Sequence, residues 1–147
     1  VWEISANIDD MSSETYSYLY ERILEKGALD IYTESIFMKK NRPAYKLNVL
    51  CKEEDLEKFT NLLLVETSTF GVRYQKLERA MLERKFEKIK TKYGEIQIKL
   101  GYLNGKLIKV TPEYEDCKII ALREKLPLIK VFNEINCIIS EKFFFNC

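Results

Sequence analysis

Two spacings of hydrophobic residues predict the elements in the first half of the chain. Alternation favours strands, and a repeat every three or four residues favours helices. The first helix is expected to be capped by Asp10 or Ser12 and to end at Gly27, where a left-handed residue is needed. The predicted strands are 1–8, 31–39, 45–52 and the extended segment 72–82, and the helices follow residue 10 and cover 55–66. The inward stripe of the first helix is Tyr16, Leu19, Tyr20, Ile23 and Leu24, and that of the second is Leu56, Phe59 and Leu63.

The order strand, helix, strand, strand, helix, strand is typical of a ferredoxin-like split βαβ unit. Lys40 to Pro43 forms the short hairpin-like connection between the two middle strands. We therefore predict an α+β fold whose first subdomain, residues 1–82, is ferredoxin-like.

Residues 83–147 predict a smaller subdomain of three antiparallel strands followed by two helices. Asn104-Gly105 is a strong signal for a two-residue hairpin turn, and Tyr93-Gly94 supplies the other turn. Thr111 is the expected N-cap of the first helix, with Pro112 at its first position. The strands are predicted at 85–92, 95–101 and 106–110, Pro127 divides the helices, and the last stripe is Leu128, Val131, Phe132, Ile135 and Ile139. The apolar tail Phe143 to Phe145 is expected to pack on the core, on a partner or on absent sequence.

The charge balance narrows the possible partners. With 24 basic and 23 acidic residues the net charge is +1, whereas general nucleic-acid and membrane-surface binders usually carry a strong basic excess. No apolar run approaches the ~20 residues that span a bilayer. Because the chain opens on Val1 and leads directly into a strand, we expect it to be a piece of a longer protein.

The residue types present also limit the chemistry. The chain has no histidine, which excludes His-based catalytic triads and His-based zinc or nickel sites within it. A metal here would need oxygen ligands and would therefore be magnesium, calcium or manganese. The four cysteines form no CxxC pair, so we expect reduced thiols in a cytoplasmic protein.

Acidic residues follow the first strand and recur before the first helix of the second subdomain. Asp9 and Asp10 are either helix caps or, with Asn7 on the same side of an extended chain as Asp9, ligands of a hard cation. The same alternatives apply to the second group, whose acids also suit the positive end of a helix. That group is Glu113, Glu115 and Asp116.

Basic residues crowd the predicted hairpin between the two middle strands. One interpretation of Lys39, Lys40 and Arg42 is a solvated turn that protects a sheet edge. The other is a phosphate-binding loop, in which Arg42 binds phosphate through two of its nitrogens. Arg73 follows a run of hydroxyl residues, Thr67 to Thr69, that either ends a helix or binds phosphate.

Five ordered motifs carry a resemblance to a known family. They are Asn7 to Met11, Gly27 to Asp30, Met38 to Pro43, Glu66 to Arg73 and Pro112 to Cys117. With these motifs the chain, from Val1 to about Val131, resembles the C-terminal region of the LarC nickel-insertion family, whose nickel-pincer nucleotide serves lactate racemase.

The resemblance implies CTP-dependent insertion of nickel into pyridinium-3,5-bisthiocarboxylic acid mononucleotide, with CTP cleaved to CMP and pyrophosphate. It also implies that this region binds CTP with Mg²⁺ or Mn²⁺ and forms a homo-oligomer, a trimer or hexamer. The nickel-handling region would lie N-terminal to it. The candidate phosphate ligands are Lys39, Lys40, Arg42, Arg73 and Lys109, and the candidate metal ligands are Asp9, Asp10, Glu113, Glu115 and Asp116. No catalytic nucleophile is apparent.

Two other function classes fit the same residues. The chain could be an oligomerisation module whose charged loops are solvated turns, or a small-metabolite sensing domain without catalytic activity. The latter rests on fold analogy alone.

Overall fold

The computed structural model describes residues 1–144, which form two compact units. The first unit runs from Val1 to Arg79, and the second begins at Ala80. Of the predicted apolar tail, Phe143 packs against the core of the second unit, and Phe145 lies outside the described residues.

A four-stranded antiparallel sheet forms the first unit. Its strands stand in the order β2-β3-β1-β4, and the two helices lie between β1 and β2 and between β3 and β4 in sequence. This is the predicted ferredoxin-like βαββαβ arrangement. The elements are β1 (Trp2–Ile8), α1 (Ser13–Glu25), β2 (Asp30–Met38), β3 (Arg42–Cys51), α2 (Leu56–Glu66) and β4 (Arg73–Lys76).

One face of this sheet is apolar and packs against the two helices. Because side chains alternate along a strand, every second residue of β1 and β3 joins the core. In α1, Tyr16, Leu19 and Ile23 are buried as predicted, whereas Leu24 is half exposed. The first core consists of Ile4, Ala6, Ile8, Tyr16, Leu19, Ile23, Ile31, Leu47, Val49, Cys51, Phe59 and Leu63.

Local sequence determines both ends of α1. Ser12 is the N-cap, and its Oγ accepts a hydrogen bond from the backbone N–H of Thr15 at 3.3 Å. At the other end Gly27 has a φ of 91°, and the N–H of Ala28 reaches the carbonyl of Ile23 at 3.2 Å, as in a Schellman motif. Since Ser12 caps the helix, Asp10 does not.

Two strand ends differ from the prediction. β3 begins at Arg42 because Arg42 and Pro43 continue the pairing with Met38 and Phe37 of β2. β4 covers only Arg73–Lys76, and residues 77–82 are not a strand. The N–H of Leu77 donates a hydrogen bond to the carbonyl of Val1 at 2.9 Å, just after the strand ends.

The second face of the first sheet is polar and contains a buried carboxylate. Glu3 is only 9% exposed, and its two oxygens accept hydrogen bonds from the Tyr32 hydroxyl (2.7 Å) and the Gln75 amide (2.9 Å). The hydrogen bond from Tyr32 is the main cause that lowers the pKa of the Glu3 carboxyl group. The same bond raises the pKa of the Tyr32 hydroxyl to about 12. Glu3 therefore joins β1 to the strands at both edges of the sheet.

The second unit is a three-stranded antiparallel sheet, in the order β5-β6-β7, with two helices. Asn104 and Gly105 adopt φ values of 50° and 77°, as the predicted two-residue hairpin requires. The elements are β5 (Glu83–Thr91), β6 (Gly94–Leu103), β7 (Lys106–Pro112), α3 (Tyr114–Glu124) and α4 (Leu128–Phe143). The core consists of Ile89, Ile96, Ile98, Leu100, Cys117, Ile120, Ala121, Val131, Ile135 and Ile139.

The predicted start of α3 was wrong. Thr111 and Pro112 belong to β7, where they pair with Lys99 and Ile98 of β6, and the helix begins at Tyr114. β6 is long enough to pair with Thr111 and Pro112. β7 therefore extends two residues into a sequence that locally favours the start of a helix. The expected division at Pro127 is confirmed, since Pro127 is the N-cap residue of α4.

The cysteines within the described range are free thiols. Cys51 and Cys117 are buried, and burial raises the pKa of both thiols, while Cys137 is exposed; Cys147 lies outside that range. Among residues 1–144, no helix is both long and apolar enough to cross a bilayer.

Truncating the first core should destabilise the first unit. Leu63 is fully buried, so Leu63→Ala should cost about 2–5 kcal/mol of unfolding free energy. Val65, on the same helix, is 80% exposed, and Val65→Ala should change stability by no more than about 0.5 kcal/mol. Urea unfolding followed by the fluorescence of Trp2, the single tryptophan, measures both. Equal losses would contradict the assigned burial.

The hydrogen bonds of Glu3 predict a pH-dependent stability. A carboxyl group whose pKa is lowered by folding stabilises the protein above its unfolded value, near 4.5, and loses that contribution as pH falls through the folded value. The wild type should therefore be more stable than Glu3→Gln at about pH 7, and the difference should shrink towards about pH 2. Urea midpoints across this range measure it. A constant difference would contradict ionisation of Glu3 in the fold.

Candidate functional site

The antiparallel pairing of β1 brings three loops to one end of the first sheet. Ile8, the last residue of β1, pairs with Tyr45 near the start of β3, and Ser5 pairs with Arg73 at the start of β4. The end of one strand and the starts of its two neighbours therefore lie side by side. We call this region the β1 end; it comprises residues 7–10, 39–42 and 67–73.

An ion pair joins the first two of these segments. Arg42 Nη1 lies 3.2 Å from Asp9 Oδ2, and the side chains are 56% and 24% exposed. The basic bend (Lys39, Lys40 and Arg42) and the acidic junction (Asp9 and Asp10) therefore lie next to each other. An exposed ion pair of this kind contributes only about 0–1 kcal/mol, so a ligand can replace it at little cost.

The third segment contacts the same junction through hydroxyl and guanidinium groups. Ser68 Oγ donates a hydrogen bond to Asp10 Oδ1. Arg73 Nη2 donates to Asn7 Oδ1 at 2.6 Å. Each of the three segments of the β1 end therefore contributes side chains to it: Asn7, Asp9 and Asp10 from the first, Arg42 from the second, and Ser68 and Arg73 from the third.

Lys39 and Lys40 occupy the turn between β2 and β3. The turn is a single 3-10 turn over Lys39–Asn41, with Lys40 and Asn41 at φ values of 61° and 56°. Both lysines are exposed and form no ion pair within residues 1–144. Left-handed backbone at non-glycine residues is uncommon, and such strain is concentrated at binding sites.

The remaining candidates belong to the second unit, and its three acidic candidates already have local partners. Glu113 lies 3.5 Å from Lys99, and Glu115 lies 3.2 Å from Lys118. Asp116 Oδ2 accepts a hydrogen bond from the backbone N–H of Gln97 at 2.7 Å, which fastens α3 to β6. Lys109 is exposed on β7, across from Gly101.

The predicted metal ligands do not form a complete cage. Within residues 1–144 no three histidine, cysteine, aspartate or glutamate side chains gather in a group able to hold a metal ion. Asp9 and Asp10 are, however, consecutive oxygen donors at an exposed junction. Mg²⁺ in nucleotide complexes commonly uses one or two protein carboxylates, with phosphates and water supplying the rest. The β1 end fits that kind of ion.

A cleft of about 400 Å³ adjoins the β1 end on the polar face of the first sheet. Arg73 and Asn7 belong to both regions. Glu3, Ser5, Lys46 and Gln75 line the rest of its polar wall. The sequence does not reveal this cleft, because a polar residue at every second position of a strand is also the pattern of an ordinary solvated face.

Comparison with known proteins identifies the family. The family model described as nickel insertion protein matches residues 1–132. The chain is 43% identical over 132 residues to the pyridinium-3,5-bisthiocarboxylic acid mononucleotide nickel insertion protein of Clostridium kluyveri, covering 90% of the chain and 33% of that protein. The protein of the same name from Staphylococcus epidermidis is 45% identical over 132 residues, with 90% and 33% covered.

Solved structures agree with this match. The apo form of LarC2, the C-terminal domain of a cyclometallase involved in the synthesis of the NPN cofactor of lactate racemase, superposes with a TM-score of 0.89 at 37% identity. The match covers 95% of this chain and 96% of that one. A protein from Methanopyrus kandleri shares the fold alone, at a TM-score of 0.71 and 21% identity, with 90% of this chain and 81% of that one covered. The chain spans about a third of the curated relatives and belongs to the nickel insertion protein family.

Proposed function

We propose that this chain binds CTP with Mg²⁺ or Mn²⁺ as part of a nickel insertion protein acting on pyridinium-3,5-bisthiocarboxylic acid mononucleotide. The names of the curated relatives state nickel insertion and this mononucleotide, and the chain corresponds to about a third of their length. Nickel itself would be handled by a region outside this chain. We further propose a cytoplasmic homo-oligomer, a trimer or hexamer, as the assembled form.

The Asp9–Arg42 ion pair is the observation that carries the proposal. It holds a carboxylate and a guanidinium 3.2 Å apart at an exposed loop junction. A metal–triphosphate complex brings one group for each partner, a cation for Asp9 and phosphate oxygens for Arg42. Binding then exchanges a weak internal pair for two charge-matched contacts and leaves neither residue uncompensated.

Lys39, Lys40 and Arg73 extend the positive charge around that pair. The lysines act as flexible point charges, whereas arginine offers two parallel donors to phosphate. Cleavage of a nucleoside triphosphate depends mainly on positioning and on neutralising charge at the phosphates, for which these side chains are suited. A bound divalent ion would supply further neutralisation at the triphosphate.

Asp9 and Asp10 would hold that ion, with Ser68 orienting Asp10 through its hydrogen bond. Lys109 stays a predicted phosphate ligand, and Glu113 and Glu115 stay predicted metal ligands. Asp116 is better explained as a structural residue, since its Oδ2 is already engaged by the backbone of Gln97.

Removing the basic bend should abolish nucleotide binding and leave assembly intact. In the variant Lys39→Ala/Lys40→Ala/Arg42→Ala, loss of the charge-assisted contacts should weaken CTP affinity by at least about 100-fold. Titration calorimetry with CTP and Mg²⁺ measures the affinity, and light scattering measures the oligomer.

The matched control removes the same charges from an exposed strand of the second unit. Arg84→Ala/Lys88→Ala/Lys90→Ala, all on β5, should bind CTP as the wild type does. An oligomerisation module would show no CTP heat in any of the three proteins. That result would overturn the proposed function.

Metal and nucleotide should bind cooperatively, because each compensates one member of the Asp9–Arg42 pair. We expect Mg²⁺ to raise CTP affinity in the wild type by about 10-fold or more, and to raise it little in Asp9→Asn. CTP without metal should bind that variant at least as well, since Arg42 loses its internal partner. Calorimetry with and without Mg²⁺ gives the four affinities.

Glu14→Gln provides the control, since Glu14 is an exposed acid in the first turn of α1. This substitution should leave the effect of Mg²⁺ unchanged. An undiminished effect of Mg²⁺ in Asp9→Asn would mean that Asp9 serves only as the internal partner of Arg42.

A further inference from the structure

The acidic and basic residues of this chain are unevenly divided between its two units. Residues 1–79 include 14 acidic and 11 basic residues, whereas residues 80–147 include 9 acidic and 13 basic. The formal charges of the units are therefore −3 and +4, although the whole chain carries only +1. Because surfaces of opposite charge attract each other, two copies of the chain can bind through unlike units.

One strand of the second unit presents a row of cations around an aromatic ring. Side chains alternate along β5, so Arg84, Phe86, Lys88 and Lys90 lie on the face opposite the core that Ile89 enters. All four are exposed, and Phe86 is 55% exposed. Within residues 1–144 none of the three cations takes part in an ion pair.

The neighbouring strands add to the positive charge of this face, which we call the basic face. Lys99, across from Phe86, and Lys109 on β7 belong to it. Its acids are Glu95 and Glu113, of which Glu113 already pairs with Lys99 at 3.5 Å. A solvated surface normally intersperses both signs of charge, whereas cations dominate here and surround an exposed phenyl ring. Arginine and exposed aromatic side chains are enriched at protein–protein contacts.

A matching acidic surface lies on the outer side of α1. Glu14, Tyr18, Glu21 and Glu25 follow one another at spacings of four, three and four residues, which place them on one side of the helix. We call this row the acidic stripe. Tyr18 is 49% exposed, and among residues 1–144 the three acids have no ion-pair partner.

An open cleft of about 460 Å³ lies beside Glu21 and Glu25 of the acidic stripe. Its lining includes two cations, but Arg22 is already compensated by Glu66 at 3.0 Å. Lys26 is then left against two carboxylates. The cleft therefore keeps an excess of negative charge and has room for a lysine side chain of another molecule.

The two surfaces present the same order of groups at similar spacings. Along α1 the order is acid, aromatic ring, acid, acid, and along β5 it is cation, aromatic ring, cation, cation. From the rise per residue of a helix and a strand, the rows are about 17 and 20 Å long. The last two charges are about 6 Å apart on α1 and about 7 Å apart on β5. Alignment of the rows sets each charge against an opposite one and Tyr18 against Phe86.

We propose that the acidic stripe of one copy docks on the basic face of a second copy. This docking gives the homo-oligomer of the proposed function, on which it rests, its contact surfaces. Because each copy carries one surface of each kind, the contact joins unlike surfaces and can close into a ring such as a trimer. Neither surface includes a residue of the β1 end, so nucleotide binding and assembly use separate side chains.

Charge reversal on either surface should dissociate the oligomer. In Lys88→Glu/Lys90→Glu and in Glu21→Lys/Glu25→Lys, like charges would face each other, and light scattering should give the mass of a single chain. The chain that carries all four substitutions has complementary surfaces again and should assemble as the wild type does. Oligomers that persist in both double variants would overturn the docking, and so would a monomeric four-fold variant.

The matched control reverses two acids elsewhere on the first unit. Glu57 and Glu78 are exposed and form no ion pair within residues 1–144. Glu57→Lys/Glu78→Lys changes the net charge as much as Glu21→Lys/Glu25→Lys does, yet it should remain an oligomer. Circular dichroism verifies that every variant is folded. Dissociation of this control would show that net charge, and not the acidic stripe, governs assembly.

The salt dependence of assembly tests the same contact without any substitution. Between about 0.1 M and about 1 M NaCl the Debye length falls from about 10 Å to about 3 Å. The wild-type oligomer should therefore dissociate as salt is raised. An oligomer whose mass is unchanged at about 1 M NaCl would contradict a contact held by these charges.

Binding of CTP with Mg²⁺, measured on the same proteins, separates this docking from the proposed nucleotide site. The dissociated variants should keep the wild-type affinity, because their β1 end is unchanged. An oligomeric wild type that gives no heat with CTP rejects the nucleotide site and leaves the docking in place. A monomeric wild type rejects the proposed assembly together with the docking, whereas oligomers in both double variants reject the docking alone.

Discussion

The central position of β1 is the constraint on which the first unit depends. β1 pairs with β3 along its whole length and with β4 at its start, so each of its side chains lies in a row across the sheet. One set of alternating residues enters the core beneath the helices. The other set, Glu3, Ser5 and Asn7, forms the floor of the polar cleft. A register shift of one residue would exchange the two sets and destroy both the core and the cleft.

The same pairing explains why charged residues from distant segments meet. Asp9 and Arg42 are 33 residues apart, and Asp10 and Ser68 are 58 apart, yet each pair is in contact. The strand ends that carry them are neighbours in the sheet, so little additional ordering is needed. The contacts are exposed and individually weak, as the proposed exchange of internal partners for a ligand requires.

Sequence patterns predicted the elements well where local chemistry decides them. Ser12 and Gly27 bound α1, Asn104-Gly105 makes the hairpin, and Pro127 separates the last two helices. Predictions were wrong where pairing overrides local preference. Thr111 and Pro112 have the sequence of a helix start, but β6 is long enough to hold both in a strand. β4 ends at Lys76, which pairs with Trp2 of β1, and residues 77–82 are not a strand although their sequence predicts an extended segment.

The sequence by itself determined the family, the order of elements, the turns and the charged segments that mark the β1 end. These properties depend on neighbouring residues or on ordered motifs, and so they are visible along the chain. Only the tertiary structure decided which candidates come together: it paired Asp9 with Arg42, assigned Asp116 to a structural bond with Gln97, and revealed Glu3 as a buried carboxylate. Such contacts depend on strand register and on which side chains share a row. Neither can be read from spacing, since it repeats equally on both faces of a sheet.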